Sequence, residues 1–296
     1  MHVHQHDKKQ TSSNRIGWAF FLNVSFTIIE FVGGWLTNST AIMADAVHDL
    51  GDSLSIGLAW LLNKLGAKQP SGLFTYGYQR FSLLGALING FVLIAGSLWV
   101  LSAAIPRLFE PQQPHAVGMF WLAILGVVVN GYAAFKLSHG KSLNERVLNW
   151  HLMEDVLGWV AVLIVAVTLM FVNWPILDPL LSIAFTLFIL VNVVRNLIEA
   201  GSILMQGTPS RSLHSSVVEI FLGIEHIEEA HHVHVWSLDG EKHVLTAHLR
   251  LDEAMGSCMQ LEIKSKISEA LDDLNFLHTT IEFEFPSEYC RDEFHE

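Results

Sequence analysis

Apolar residues fill six blocks of the chain, near positions 16–36, 40–62, 81–105, 116–137, 148–172 and 177–199. Each is close to the roughly 20 residues a helix needs to cross the hydrocarbon of a bilayer. The pattern therefore predicts six transmembrane helices within residues 16–208. Residues 1–15 are polar and lack a small-residue cleavage site, so they read as a cytoplasmic, histidine-containing tail on an uncleaved first span.

Past Gly207-Thr208-Pro209 the long runs give way to short elements. Residues 210–222 read as a helix, 230–238 and 243–251 as strands joined across a turn-forming Asp239-Gly240, and 279–285 as a last strand. Between them 257–274 reads as an amphipathic helix with Leu261, Ile263, Ile267, Leu271 and Leu274 toward one side. This order predicts a C-terminal α+β domain over residues 209–296, helix-strand-strand-helix-strand, large enough for a modest core.

Composition sharpens the division. Hydrophobic residues make up 51% of the chain and charged ones 16%, against about 25% charge in an ordinary soluble domain. Residues 1–208 hold eleven basic and eleven acidic side chains, while 209–296 hold six and eighteen, so the whole net charge of -12 lies in the tail domain. With no basic footprint, nucleic-acid binding is excluded. Eleven Lys and Arg flank the spans on one side and only Arg107 on the other. That asymmetry puts both termini in the cytoplasm. Two cysteines, Cys258 and Cys290, are too few for a disulfide framework.

Ionisable residues inside a span cost at least about 2.5 kcal/mol each at the helix centre and mark function by default. The second span carries Asp45, His48, Asp49 and Asp52. At 100° per residue they fall at about 0°, 300°, 40° and 340°, a single sector that cannot face lipid. The fifth span carries His151, Glu154 and Asp155. His48/Asp52 and His151/Asp155 share one four-residue spacing, so each pair stacks an imidazole and a carboxylate on one helix face. Facing each other, the pairs would enclose one ion with two nitrogens and two oxygens, a set that suits Zn2+ and leaves Cd2+, Co2+ and Fe2+ as lesser cargo. A lone intramembrane His or Asp often serves only helix packing. Asp45 and Asp49 fit that reading or an auxiliary role beside the pore.

These residues resemble the cation diffusion facilitator family of divalent-metal transporters. The resemblance rests on NSTAIMADAVHDLGDS in the second span, TYGYQRFSLLGALING entering the third, HLMEDVLGW in the fifth, LDPLLSIAFTLFIL in the sixth, QGTP at the junction and HHVHVWSLDGEKHVLTAHLRL in the tail. It implies a homodimer of six-helix protomers, proton-coupled zinc export from the cytoplasm, and a metallochaperone-like cytoplasmic domain. It also implies that His48, Asp52, His151 and Asp155 form the transport site, with the histidine of the second span favouring zinc over cadmium. In the tail it implies metal ligands at His231, His248 and Glu284, with Glu282 nearby and His232 where the family often has Asp. Ser82 stands where relatives carry a carboxylate, and the histidine-rich loop between spans four and five is missing; His2, His4 and His6 alternate at the N-terminus instead.

The tail histidines read as a regulatory zinc site or as satisfied surface residues. By strand alternation His231 points away from His232 and His234, and Cys290 at most supplements the periphery. Because ligands must be deprotonated, protons compete with zinc at the membrane site, and a membrane-embedded antiporter of a compact, bacterial inner-membrane type follows. Two rivals remain: a non-transporting zinc sensor or scaffold, and a metalloenzyme, although the latter lacks an HExxH base and an open metal position.

Overall fold

The computed structural model describes residues 4–66, 68–137 and 143–292; side chains are described from Phe20 onward, except for Leu22, Trp60, Asn63, Lys64 and residues 136–151. Two compact units make up the chain, Met1–Asn63 with Gly85–Leu197 and Lys64–Leu84 with Ile198–Glu296.

The first unit is helical: α1 (His4–Thr37), α2 (Thr40–Gly66), α3 (Phe81–Ala104), a short α4 (Pro106–Phe109), α5 (Ala116–Leu137), α6 (Leu143–Phe171) and α7 (Leu177–Leu204). The helix starts at His4, not near residue 16, because Gln5, Lys8, Lys9 and Gln10 are good helix formers and no proline or glycine interrupts them. Phe81–Phe109, Ala116–Phe135, Leu152–Phe171 and Leu177–Leu204 are long and apolar enough to cross a membrane. α2 carries three carboxylates, Asp45, Asp49 and Asp52, along its otherwise apolar length.

α2 holds the unit together. Its Ala41 and Ile42 pack with Met119 and Ala123 of α5 and Trp159, Val162 and Ala166 of α6. One turn on, its Ala44 and Val47 pack with Leu93 and Val100 of α3 and Ile189 and Val193 of α7. With no hydrophobic drive between helices in lipid, close approach at small residues supplies the packing. A Cβ on Gly51 of α2 would come within 2.5 Å of the Leu93 side chain. Large apolar side chains such as Phe91, Trp121, Val128, Leu157 and Phe188 remain exposed, the surface expected to meet lipid.

The second unit contains α8 (Arg211–Leu222), β1 (Ile227–Ser237), β2 (His243–Leu251), α9 (Ser257–Leu271) ending in a 3-10 turn (Asp272–Leu274), and β3 (Phe276–Glu284). The strands run in the order β1-β2-β3, β1 antiparallel and β3 parallel to β2. Ser210 caps α8 by accepting from the Leu213 amide at 3.0 Å. Val217 and Phe221 of α8 and Ile263, Ile267 and Leu271 of α9 cover Leu245, Ala247, Leu249 and Leu251 of the sheet. The predicted element order is observed. Leu261, expected on the buried side of α9, is instead exposed. It sits two residues before Ile263, about 200° around the helix from it, and so faces outward.

Strand alternation misplaces the tail histidines. His231 pairs with His248 and His234 with Thr246, so two residues of β1 oppose one of β2 between these pairs. His232 occupies the bulge at φ 47°. The extra residue restores His231 and His234 to one face of the sheet, and the His232 ring comes within 5.2 Å of both His231 and His248.

Candidate metal-transport site and cytoplasmic cluster

His48 and Asp52 lie one turn apart on α2, and Asp155 faces them from α6. His48 Nε2 is 3.7 Å from Asp52 Oδ2 and 3.9 Å from Asp155 Oδ1. One ligand atom from each of the three falls within 4.8 Å of the other two. Tetrahedral zinc with ligands at about 2.0 to 2.2 Å separates those ligands by roughly 3.3 to 3.6 Å, so a small closure suffices. His151 belongs to α6, but its side chain lies outside the described ones, as do those of His2, His4 and His6. A cavity of about 230 Å³ is lined by His48 and Asp155 together with Asp45, Glu154, Gly158 and Phe185.

The α2 acids divide between two neighbours. Asp45 borders the cavity, its Oδ1 3.6 Å from where a Cβ on Gly158 of α6 would stand. Asp49 turns toward α1, where its carboxyl meets that of Glu30 and the Asn23 amide donates to its backbone carbonyl oxygen at 3.4 Å. Both are buried. Behind them on α1 lies Glu30, 1% exposed, its carboxyl set against that of Asp49. Glu30 lies outside the paired motif, and its signal in the sequence is an acid within an apolar helix.

Asp178, at the first turn of α7, anchors the start of α2. It accepts hydrogen bonds from Ser39 Oγ at 2.5 Å, the Thr40 amide at 2.7 Å, Thr40 Oγ1 at 2.8 Å and the Ala41 amide at 3.3 Å. These amides belong to a helix N-terminus that otherwise lacks acceptors. The anchor sets the axial position of α2 two turns before His48.

In the C-terminal unit His231, His248, Glu284 and Cys290 offer one ligand atom each within 4.8 Å. His248 Nδ1 lies 2.8 Å from Glu284 Oε1 and 3.4 Å from Cys290 Sγ. His231 Nε2 and Glu284 Oε2 form an ion-pair contact at 3.0 Å. Four donor atoms of imidazole, carboxylate and thiol grouped this closely fit a cation. Glu282 and His232 stand further out. Glu282 Oε2 is 3.9 Å from His248 Nε2 and bound by Arg291, while His232 joins through ring contact alone. Cys290, expected at the periphery, is inside the cluster because the turn after β3 folds back over the sheet.

Burial alone would raise the Glu284 carboxyl, but hydrogen bonds from Cys290 and His248 and the nearby His231 outweigh it and hold it below the ordinary value. Burial raises the Cys290 thiol, and the Glu284 and Asp292 carboxylates push the same way. A cation would reverse that last effect by favouring thiolate.

Residues 18–205 match the cation efflux transmembrane domain and residues 209–285 the cation efflux protein cytoplasmic domain. The chain belongs to the cation efflux family, the cation diffusion facilitators. It is an integral membrane transporter and not an enzyme. Similar proteins include the cadmium, cobalt and zinc/H(+)-K(+) antiporter of Bacillus subtilis, 34% identical over 90% of this chain and 87% of that protein. The zinc transporter ZitB of Pectobacterium atrosepticum is 33% identical over 84% of this chain and 79% of its own length. The metal cation efflux system protein CzcD of Cupriavidus metallidurans is 30% identical over 95% and 89%.

Proposed function

We propose that the protein exports zinc from the cytoplasm in exchange for protons, with His48, Asp52, His151 and Asp155 as the ligands of the moving ion. The observation that carries this reading is the meeting of His48, Asp52 and Asp155 from two helices inside an apolar unit, with ligand atoms within 4.8 Å of one another. Two carboxylates and an imidazole neutralise and hold a borderline cation where neither lipid nor a hydrated ion would be stable. Relatives named for zinc, cadmium and cobalt support the substrate class, and one named for H(+)-K(+) exchange supports a proton counter-ion, with potassium as a second one. Zinc requires neutral imidazole and ionised carboxylate, so loading one cargo expels the other and a shared site makes an antiporter.

In this reading the protein resides in a bacterial inner membrane with both termini cytoplasmic, on the strength of its Lys and Arg distribution and its bacterial relatives. It works as a homodimer through its cytoplasmic domain. His231, His248, Glu284 and Cys290 would hold a regulatory zinc there, with Glu282 and His232 beside it. Two domains that each carry the chain's whole excess of negative charge repel one another. A cation held by these residues would relieve the repulsion and tie the segment after β3 to the sheet.

The test is zinc flux into vesicles reconstituted with the full chain. Uptake should scale with an imposed pH gradient in the wild type and vanish in His48→Ala and Asp155→Ala. Flux that persists in both variants would overturn the site. Binding without any flux in the wild type would favour a sensor or scaffold.

A further inference from the structure

Glu30 sits in the α1–α2 interface at 1% exposure, its carboxyl set against that of Asp49. The charged groups that act on it are all acids: Asp49 first, then Asp45, both on α2, and Asp155 on α6. Among the described residues no lysine, arginine or protonated imidazole answers it. A carboxylate so placed pays full desolvation and like-charge repulsion, and a proton of its own removes both. The Asp49 carboxyl is then the natural acceptor for that proton's hydrogen bond.

A polar seam leads away from Glu30 toward the N-terminal end of α1. Thr27 and Asn23 share its helix face, and both turn to Ser53 of α2, with Asn23 Nδ2 3.1 Å and Thr27 Oγ1 3.5 Å from Ser53 Oγ. Thr27 and Ser53 are buried, so this stretch of the interface offers hydroxyls and an amide in place of alkyl groups.

We propose that Glu30 carries a counter-transported proton, held on α1 behind the metal ligands and released when the cation arrives. The proposal rests on the transport site described above. A divalent ion at His48, Asp52 and Asp155 adds two positive charges beside a group that had only acids for neighbours, which favours the ionised carboxylate. The O–H bond of Glu30 then breaks, and its proton passes along the Thr27, Asn23 and Ser53 seam to water. Departure of the ion on the other side restores the repulsion, and Glu30 takes up a new proton. Coupling is reciprocal: the cation lowers proton affinity by the factor by which the proton lowers cation affinity. Glu30 thus handles the proton and does not touch the metal.

The experiment counts protons released per zinc bound by the full chain in detergent, by titration calorimetry in buffers of different ionisation enthalpy, together with pH-driven zinc uptake in vesicles. Glu30→Gln mimics the protonated side chain permanently. The expected result is about one proton fewer per zinc, a zinc affinity within about tenfold of wild type, and loss of the acceleration by a proton gradient. An unchanged proton count and pH profile would overturn the proposal. Should Glu30→Gln fail to fold, Glu30→Asp keeps a carboxyl one methylene shorter; a displaced pH midpoint of uptake supports the proposal and a wild-type midpoint overturns it. Transport surviving His48→Ala would instead sink the transport site itself, an outcome separate from either.

Discussion

Asp178 of α7 accepts from both the backbone amide and the hydroxyl of Thr40, 138 residues away, at 2.7 and 2.8 Å, and so ties the first turn of α7 to the first turn of α2. The Ser182 hydroxyl adds a bond to the Thr40 carbonyl oxygen at 2.9 Å. The helix carrying two of the candidate ligands is thus pinned at its N-terminus by a helix carrying none.

Asp178→Ala should destabilise the protein by about 1 to 3 kcal/mol, because several buried donors lose their acceptor at once. Asp178→Asn should cost less, since its amide oxygen still accepts. Thermal unfolding in detergent should rank wild type above Asn above Ala, and equal midpoints for all three would count against the anchor.

Gly126 of α5 lies against the indole of Trp159, a residue 1% exposed and one turn past Asp155 on α6. A Cβ at residue 126 would stand 2.1 Å from Cδ2 of the indole, far inside van der Waals contact. Gly126→Ala should therefore cost about 1 to 3 kcal/mol by overpacking and displace the turn that carries Asp155. Adding Trp159→Phe should recover part of the loss. Additive effects in the double variant would mean that the two positions do not communicate.

The cytoplasmic cluster separates two otherwise similar thiols. Cys258 is exposed on α9, whereas Cys290 Sγ lies 3.4 Å from His248 Nδ1. Cys290→Ser should weaken zinc binding by the domain by roughly tenfold or more, since a soft thiolate is replaced by a poor hydroxyl ligand, and Cys258→Ser should not change it. Equal affinities for the two variants would remove Cys290 from the site.

His243 opens β2 with its Nδ1 buried and without a hydrogen bond. Burial lowers its pKa from the ordinary 6.5, and Asp239 opposes only part of that shift. The unfolded chain therefore takes up this proton at higher pH than the folded one. The contribution to stability is present above the ordinary value and is lost as pH falls through it toward the folded value. The wild type should lose thermal stability between about pH 7 and pH 5.5 more steeply than His243→Gln, which has nothing to titrate there. Parallel curves would show that His243 is not responsible.

Much of this protein is legible in local pattern. Span length, the four-residue spacing of His48/Asp52 and His151/Asp155, and the alternation that marks β2 are periodicities of a few residues, and neighbours along one helix or strand obey them whatever surrounds them. The same locality sets the limit of what such pattern determines. Asp45, His48, Asp49 and Asp52 form one sector on a helical wheel, but about 100° is wide enough to reach two partners, and only packing sends Asp49 toward α1 while His48 and Asp52 meet Asp155. The bulge at His232 reverses the facing of His231 by one added residue, which no alternation rule foresees. Cys290 joins His248 through a chain turn 42 residues away, and Asp178 reaches Thr40 over 138. The amino-acid sequence by itself determined the elements and the chemistry they carry. Which acids gather beside His48 and which face one another depends on contacts between segments far apart in the chain, and only the tertiary structure decided them.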